Sequence, residues 1–169
     1  MTIRIHKPLR IIKLAVACIF ILPAWCHAQS NYKTALGLRL NEGAGITVKH
    51  FVSEKSSIEG ILYTRWRGFN LTGLYQGNFP VFSEPGFRFF MGGGAHIGVW
   101  DRNRNPWWKD EEYNDTRAVF GLDGQIGLEY TFGQLPLNLS IDWKPAINFI
   151  GVSNFWGGDL ALSVRYAFK

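Results

Sequence analysis

From residue 31 to residue 169 apolar and polar side chains take turns, and no 3.6-residue helical period competes with that alternation. The clearest stretch is 118–132. One parity carries Ala118, Phe120, Leu122, Ile126, Leu128, Tyr130 and Phe132, while the other carries Asp123, Gln125, Glu129 and Thr131. Residues 87–99 repeat the pattern, with Phe87, Phe89, Met91, Ala95, Ile97 and Val99 set against Arg88, His96 and glycines. Leu137, Leu139, Ile141 and Trp143 oppose Asn138, Ser140, Asp142 and Lys144, and Leu160, Leu162, Val164, Tyr166 and Phe168 oppose Asp159, Ser163 and Arg165. Weaker alternation predicts further strands at 33–40, 45–52, 57–66 and 68–76, which makes eight.

An even-numbered closed meander brings both ends of the chain to one rim. The odd connections, 41–44, 66–68, 101–116 and 145–158, share the other rim and include the two longest, as in barrels with short turns on one side and long loops on the other. Alternation does not itself say which face is wet, since a lipocalin-type barrel buries its apolar parity and a membrane barrel exposes it. Three features favour the membrane. Strands of 13–15 residues exceed the usual ~5–6 of soluble sheets and suit a tilted span. Aromatics (Phe87, Tyr130, Phe132, Tyr166, Phe168) cluster near strand ends on the apolar parity. The chain ends on an alternating aromatic strand, VRYAFK.

The prediction is therefore an all-β fold, an eight-stranded antiparallel up-and-down transmembrane barrel. Phe89, Met91, Ile97, Phe120, Leu122, Ile126, Leu128, Leu139, Ile141, Leu160, Leu162 and Val164 are expected to face lipid. Arg39, Lys49, Glu59, Arg88, His96, Asp123, Gln125, Glu129, Asp142, Asp159, Lys144 and Arg165 form the lumen, with Arg65 near its rim. Eight strands enclose an interior that side chains can fill. Buried charges must pair, so a salt-bridged plug without a solute channel is expected. A narrow charge-lined pore for small or apolar molecules is the alternative. Gln125→Ala is expected to be mild, and a charge at Leu122, Ile126 or Leu128 to block assembly.

Composition refines this picture at the N-terminus. Arg4, Lys7, Arg10 and Lys13 precede an apolar run, 14–25, and a small-x-small site, CHA, ending at Ala28. These are the parts of a secretory signal cleaved after Ala28, and the run is too short to span a bilayer as a helix. The expected domains are thus a signal at 1–28 and a barrel at 29–169. The formal charge of +5 on 169 residues comes mostly from that signal, and without it 14 basic residues face 13 acidic ones. A nucleic-acid surface is not supported. Both cysteines, Cys18 and Cys26, also lie in the signal, so the exported chain has no disulfide and no thiolate chemistry.

The signal, the eight alternating strands and the aromatic last strand resemble the OmpA/OmpX-like small outer-membrane β-barrel families. Stretches such as ALGLRLNEGAGITVKHF, SSIEGILYTRWRGFNLTGLY and LPLNLSIDWKPAINFIG resemble uncharacterised barrel proteins of Bacteroidetes-type bacteria. The resemblance implies a Gram-negative outer-membrane location, contact with outer-membrane lipid and lipopolysaccharide, and assembly by the barrel-assembly machinery. It implies no activity, because those families include adhesins and structural anchors. In assembly, Tyr166 and Phe168 correspond to the C-terminal recognition strand.

Candidate chemistry is sparse. Barrel enzymes that deacylate lipid A set a Ser two residues from a His, whereas His96 is followed by Ile97 and Gly98, and His50 by Phe51 and Val52. His96 beside Asp123 or Glu129 reads as a satisfied lumen histidine, and His50 as a rim residue without a role. No catalytic site, cofactor or metal is expected; a lipid-A-modifying barrel enzyme is the second alternative. Asp110, Glu111, Glu112 and Asp115 lack the EF-hand spacing and read as a solvated loop. The Gly92-Gly93-Gly94 run lacks the following helix and Lys of a phosphate loop, and marks a bend or a crowded neighbourhood. Trp107, Trp108, Phe155 and Trp156 place aromatics on two long loops of one rim, the best candidates for contact with a surface ligand.

Overall fold

The computed structural model describes residues 32–65, 68–82, 84–101, 116–150 and 155–168. Ten strand segments appear in chain order: β1 (Thr34–Leu40), β2 (Ala44–Phe51), β3 (Ser56–Arg65), β4 (Gly68–Pro80), β5 (Phe87–Asp101), β6 (Thr116–Thr131), β7 (Leu137–Trp143), β8 (Ala146–Ile150), β9 (Phe155–Trp156) and β10 (Leu160–Phe168). All pair antiparallel. The ring closes because β1 pairs with both β2 and β10, β10 continues to β7, and β5 pairs with β6.

Ten segments make eight walls. Pro145 has no N–H for a ladder, so β7 stops at Trp143 and the same wall resumes as β8. Its carbonyl still accepts from Gly124 N at 2.9 Å. β9 pairs with β8 and leads through residues 157–159 into β10. The connection expected at 145–158 is thus strand for much of its length, and Phe155 and Trp156 lie in β9, above the β7–β10 pairing, instead of in a loop. β4 also runs to Pro80, beyond the expected 76, which shortens the next connection to 81–86.

The barrel is inverted relative to a water-soluble protein. Among the described residues 19 polar or charged residues are buried against nine apolar ones, three of those being Ala35, Ala161 and Ala167 and a fourth Ala146. Soluble interiors have the opposite balance. Met91, Ile97, Phe120, Leu122, Ile126, Leu128, Leu139, Ile141, Leu160, Leu162 and Val164 all stand exposed on the outside. Phe89 shares their side but is half-buried, with Phe79 beside it at 6.4 Å.

Outward aromatics gather at two heights. Near the chain ends, Tyr130 packs between Phe87 (4.5 Å) and Phe132 (4.8 Å), Tyr166 meets Phe168 (4.9 Å), and Phe82 stacks edge-on against Phe87 (5.9 Å). Phe82 adopts φ 66° in its turn and is 71% exposed. Toward the other rim stand Phe69, Phe120, Phe149 and Phe155. Tyr130 and Phe120 are ten positions apart on β6. At ~3.3 Å per residue and a tilt of ~35–45° the two belts are separated by ~25 Å, the height of the apolar band of an outer-membrane barrel.

Candidate functional site

The lumen is built by one parity of every wall. On β1 this is Arg39, on β2 Thr47 and Lys49, on β3 Glu59, Ile61 and Tyr63, on β4 Asn70, Thr72, Gln76 and Asn78. β5 contributes Arg88, Phe90 and His96, β6 Asp123, Gln125 and Glu129, β7 Asn138, Ser140 and Asp142, and β10 Ser163 and Arg165. Arg39, Lys49, Glu59, His96, Asp123, Gln125, Glu129, Asp142, Lys144 and Arg165 are buried there, and Arg88 is half-buried. The side chain of Arg65 lies outside the described residues, as do residues 1–28, Trp107, Trp108, Asp110, Glu111, Glu112 and Asp115.

The half of the lumen near the chain ends is filled. Arg165 reaches across the barrel to Glu59 (2.5 Å) and donates to Ser140 (2.8 Å) and Asn138 (3.1 Å). Glu59 also accepts from Thr47 and Gln76, each at 2.5 Å. Gln76 donates to Gln125 (2.6 Å), whose amide donates to Asp142 (3.0 Å). Lys49 pairs with Glu129 (2.8 Å), donates to Asn78 (2.9 Å) and lies 4.3 Å from the centre of the Phe90 ring. Arg88 is 4.0 Å from the same carboxylate. Below this layer Tyr32 and Phe51, edge to face at 5.1 Å, close the barrel with Ala35 and Ala167, and the Tyr32 hydroxyl donates to Glu129 (3.2 Å).

Nearer the loops the packing changes. Arg39 holds Asp142 with one guanidinium nitrogen and Asp159 with the other (3.3 Å). Lys144 bridges Asp123 (2.7 Å) and Asp159 (3.3 Å). The His96 ring lies between Asp123 (Nδ1, 2.6 Å) and Asn148 (Nε2, 2.9 Å). Gly121 makes this possible: a Cβ there would lie 2.6 Å from the imidazole. Gly92 is crowded as well, since its Cβ would meet Tyr75 O at 2.2 Å. Above these groups is a cavity of about 290 Å³, walled by Ile61, Tyr63, Asn70, Thr72, Val119, Asn148 and Trp156.

Charge in this lumen is matched group for group. Arg39, Lys49, Arg88, Lys144 and Arg165 each lie within ion-pair distance of at least one of Glu59, Asp123, Glu129, Asp142 and Asp159. Low dielectric makes an unpaired buried charge costly, so pairing across walls ties distant strands together. His96 has two polar partners, and the hydroxyl of its cross-strand partner, Thr72, donates to Asn70 (3.1 Å). His50 stays on the outward parity, half-buried at the rim, bonded to its cross-strand partner Thr34 (2.8 Å).

Several site residues escaped the charge-based reading. Gln76, Asn78 and Asn148 carry no charge yet connect the network, and Phe90 is an aromatic on the polar parity. Polar residues at 70, 72, 76 and 78 were a readable period-2 signal.

No protein-family model matches the sequence, and no curated protein matches it. Among solved structures, the N-terminal β-barrel domain of Pseudomonas aeruginosa OprF is similar in shape, with a TM-score of 0.54 over 82% of this chain and 96% of that one, at 10% sequence identity. The likeness is one of fold: this chain is a closed, eight-stranded antiparallel barrel.

Proposed function

We propose that this protein is an integral barrel of a bacterial outer membrane with a structural or cell-surface interaction role and no catalysis. It is exported by a signal cleaved after Ala28, folds over residues 29–169 with the barrel-assembly machinery, and touches lipid and lipopolysaccharide along its outer wall. The carrying observation is the inverted polarity: an apolar exterior between two aromatic belts ~25 Å apart, around an interior whose charges are paired. No soluble environment accommodates so many exposed Leu, Ile, Val and Phe side chains on one continuous surface. The likeness to the Pseudomonas barrel domain supports the same reading. Matched charge and the Tyr32–Phe51 closure argue for a lumen that passes no solute.

The test is refolding of residues 29–169 into detergent and lipid vesicles, followed by gel mobility with and without boiling, then conductance in a planar bilayer. A heat-modifiable, electrically silent barrel is expected. Failure to enter vesicles would overturn the membrane placement, and steady unit conductance would overturn the closed lumen.

A further inference from the structure

The loop-end cavity is assigned to nothing by the reading above. We infer that it is a binding site for a neutral, polyhydroxylated molecule of monosaccharide size. Its volume of about 290 Å³ lies at the small end of ligand pockets, which start near ~300 Å³, so it has room for about one sugar ring.

Electrostatics selects a neutral guest. The charged groups of the floor, Arg39, Lys144, Asp123 and Asp159, are already committed to one another at 2.7–3.3 Å, and Glu42 in the turn at the mouth is itself engaged. An incoming ion would lose its hydration and find no uncompensated partner. A hydroxyl both donates and accepts, and can join such a network without disturbing its charge balance. The walls offer the neutral groups that suit it: Asn70, Thr72, Asn148 and the Tyr63 hydroxyl.

Trp156 supplies the apolar half of the contact. It pairs directly with Ala146, which is buried against the lumen, so Trp156 shares that inward side while its neighbour Phe155 turns outward with Ile147. Trp156 is 46% exposed and lines the cavity. An aromatic face above polar walls fits the C–H face of a pyranose, with Val119 and Ile61 completing the apolar surface.

The test is calorimetric and saturation-transfer NMR titration of the refolded mature barrel with glucose and N-acetylglucosamine, using glucosamine and glucuronate as charged controls. Saturable millimolar binding of a neutral sugar is expected, weakened at least ~10-fold, or about 1.4 kcal/mol, by Trp156→Ala and by Val119→Trp, which fills the cavity. Weaker binding of both charged controls is expected too. No saturation by either neutral sugar at about 50 mM, affinity unchanged in both variants, or preference for a charged sugar would overturn the site. Heat-modifiable mobility is read on the same samples, so a folded barrel that ignores sugars refutes the pocket and leaves the membrane reading standing.

Discussion

One barrel contains two different interiors. Toward the chain ends, Arg165, Lys49, Gln76, Glu59, Glu129 and Phe90 fill the lumen from wall to wall, all fully buried. Toward the loops, the same eight walls present Gly98, Gly121, Val119, Thr72 and Ala146, and a cavity remains. Strand number sets the diameter of the ring, but the size of the inward side chains decides whether that ring is full. A plug argued from strand number alone therefore describes the lower half of this molecule and overstates the upper. The lower half resembles a polar core under high electrostatic stakes, and the upper half a vestibule whose floor is that core.

The largest effect should come from cutting the lower network at its centre. Arg165→Met leaves Glu59 buried with Thr47 and Gln76 but no cation. Removing one partner of a buried pair costs about 3–5 kcal/mol. Urea unfolding of the micelle-refolded barrel, followed by tryptophan emission, should show that loss, and adding Glu59→Gln should restore part of it. A midpoint unchanged by Arg165→Met would mean that water reaches Glu59 and that the lower half is not closed.

The outer wall gives the next effect and sets the inner comparison in its membrane. Ile126 is exposed, roughly midway between the Tyr130 and Phe120 levels on β6. Ile126→Arg there should cost about 2–4 kcal/mol in lipid vesicles, the depth-dependent penalty of a cation at the bilayer midplane. In water-exposed micelle rims the same change should cost less. Equal tolerance in both settings would remove the membrane from the argument.

How much of this could be read beforehand differs by level. Period-2 alternation located the walls and put Leu122, which stands exposed, on the face opposite Asp123 and Gln125, which are buried, because a strand in a closed sheet has only two faces. Partnership could not be read. Arg39 and Asp142 are 103 residues apart, and Arg165 and Glu59 are 106 apart, so only ring closure brings them together. The wall of β7 and β8 also escaped, since Pro145 looks like the end of a strand when the neighbour that rescues it, Gly124, is unknown. Trp156 and Phe155 looked alike as loop aromatics. Their cross-strand partners, Ala146 and Ile147, separate one as a cavity wall and the other as part of the outer belt.

Gln125 shows the cost of judging a lumen residue by its lack of charge. Parity alone predicts a mild Gln125→Ala. Its side chain, however, accepts from Gln76 and donates to Asp142, both buried. Truncation leaves two buried groups each short of a partner, a loss of about 1–3 kcal/mol. The same urea titration should place this variant clearly below wild type, and Gln125→Glu should not rescue it, because a carboxylate cannot donate to Asp142. A wild-type midpoint for Gln125→Ala would mean that the lower network repacks, and would make it as adaptable as the upper one.

The smallest effect should come from the upper half, at Lys144. Its ammonium bridges Asp123 and Asp159, so on distances alone it rivals Arg165. Yet 10% of its side chain and 14% of that of Asp159 remain accessible, whereas Arg165 and Glu59 have none. After Lys144→Met, Asp123 keeps His96, and Asp159 keeps Asn41 and Arg39. Partial solvation and surviving partners together should hold the loss to about 1 kcal/mol, the low end of the range for a buried group left short of a partner. Salt sharpens the distinction: a partly accessible pair is screened more than a dry one, so at about 1 M the difference between Lys144→Met and wild type should shrink by more than that of Arg165→Met. Equal losses, equally insensitive to salt, would show that the charged floor is as dry as the plug, and that water does not reach the Lys144 end of the lumen.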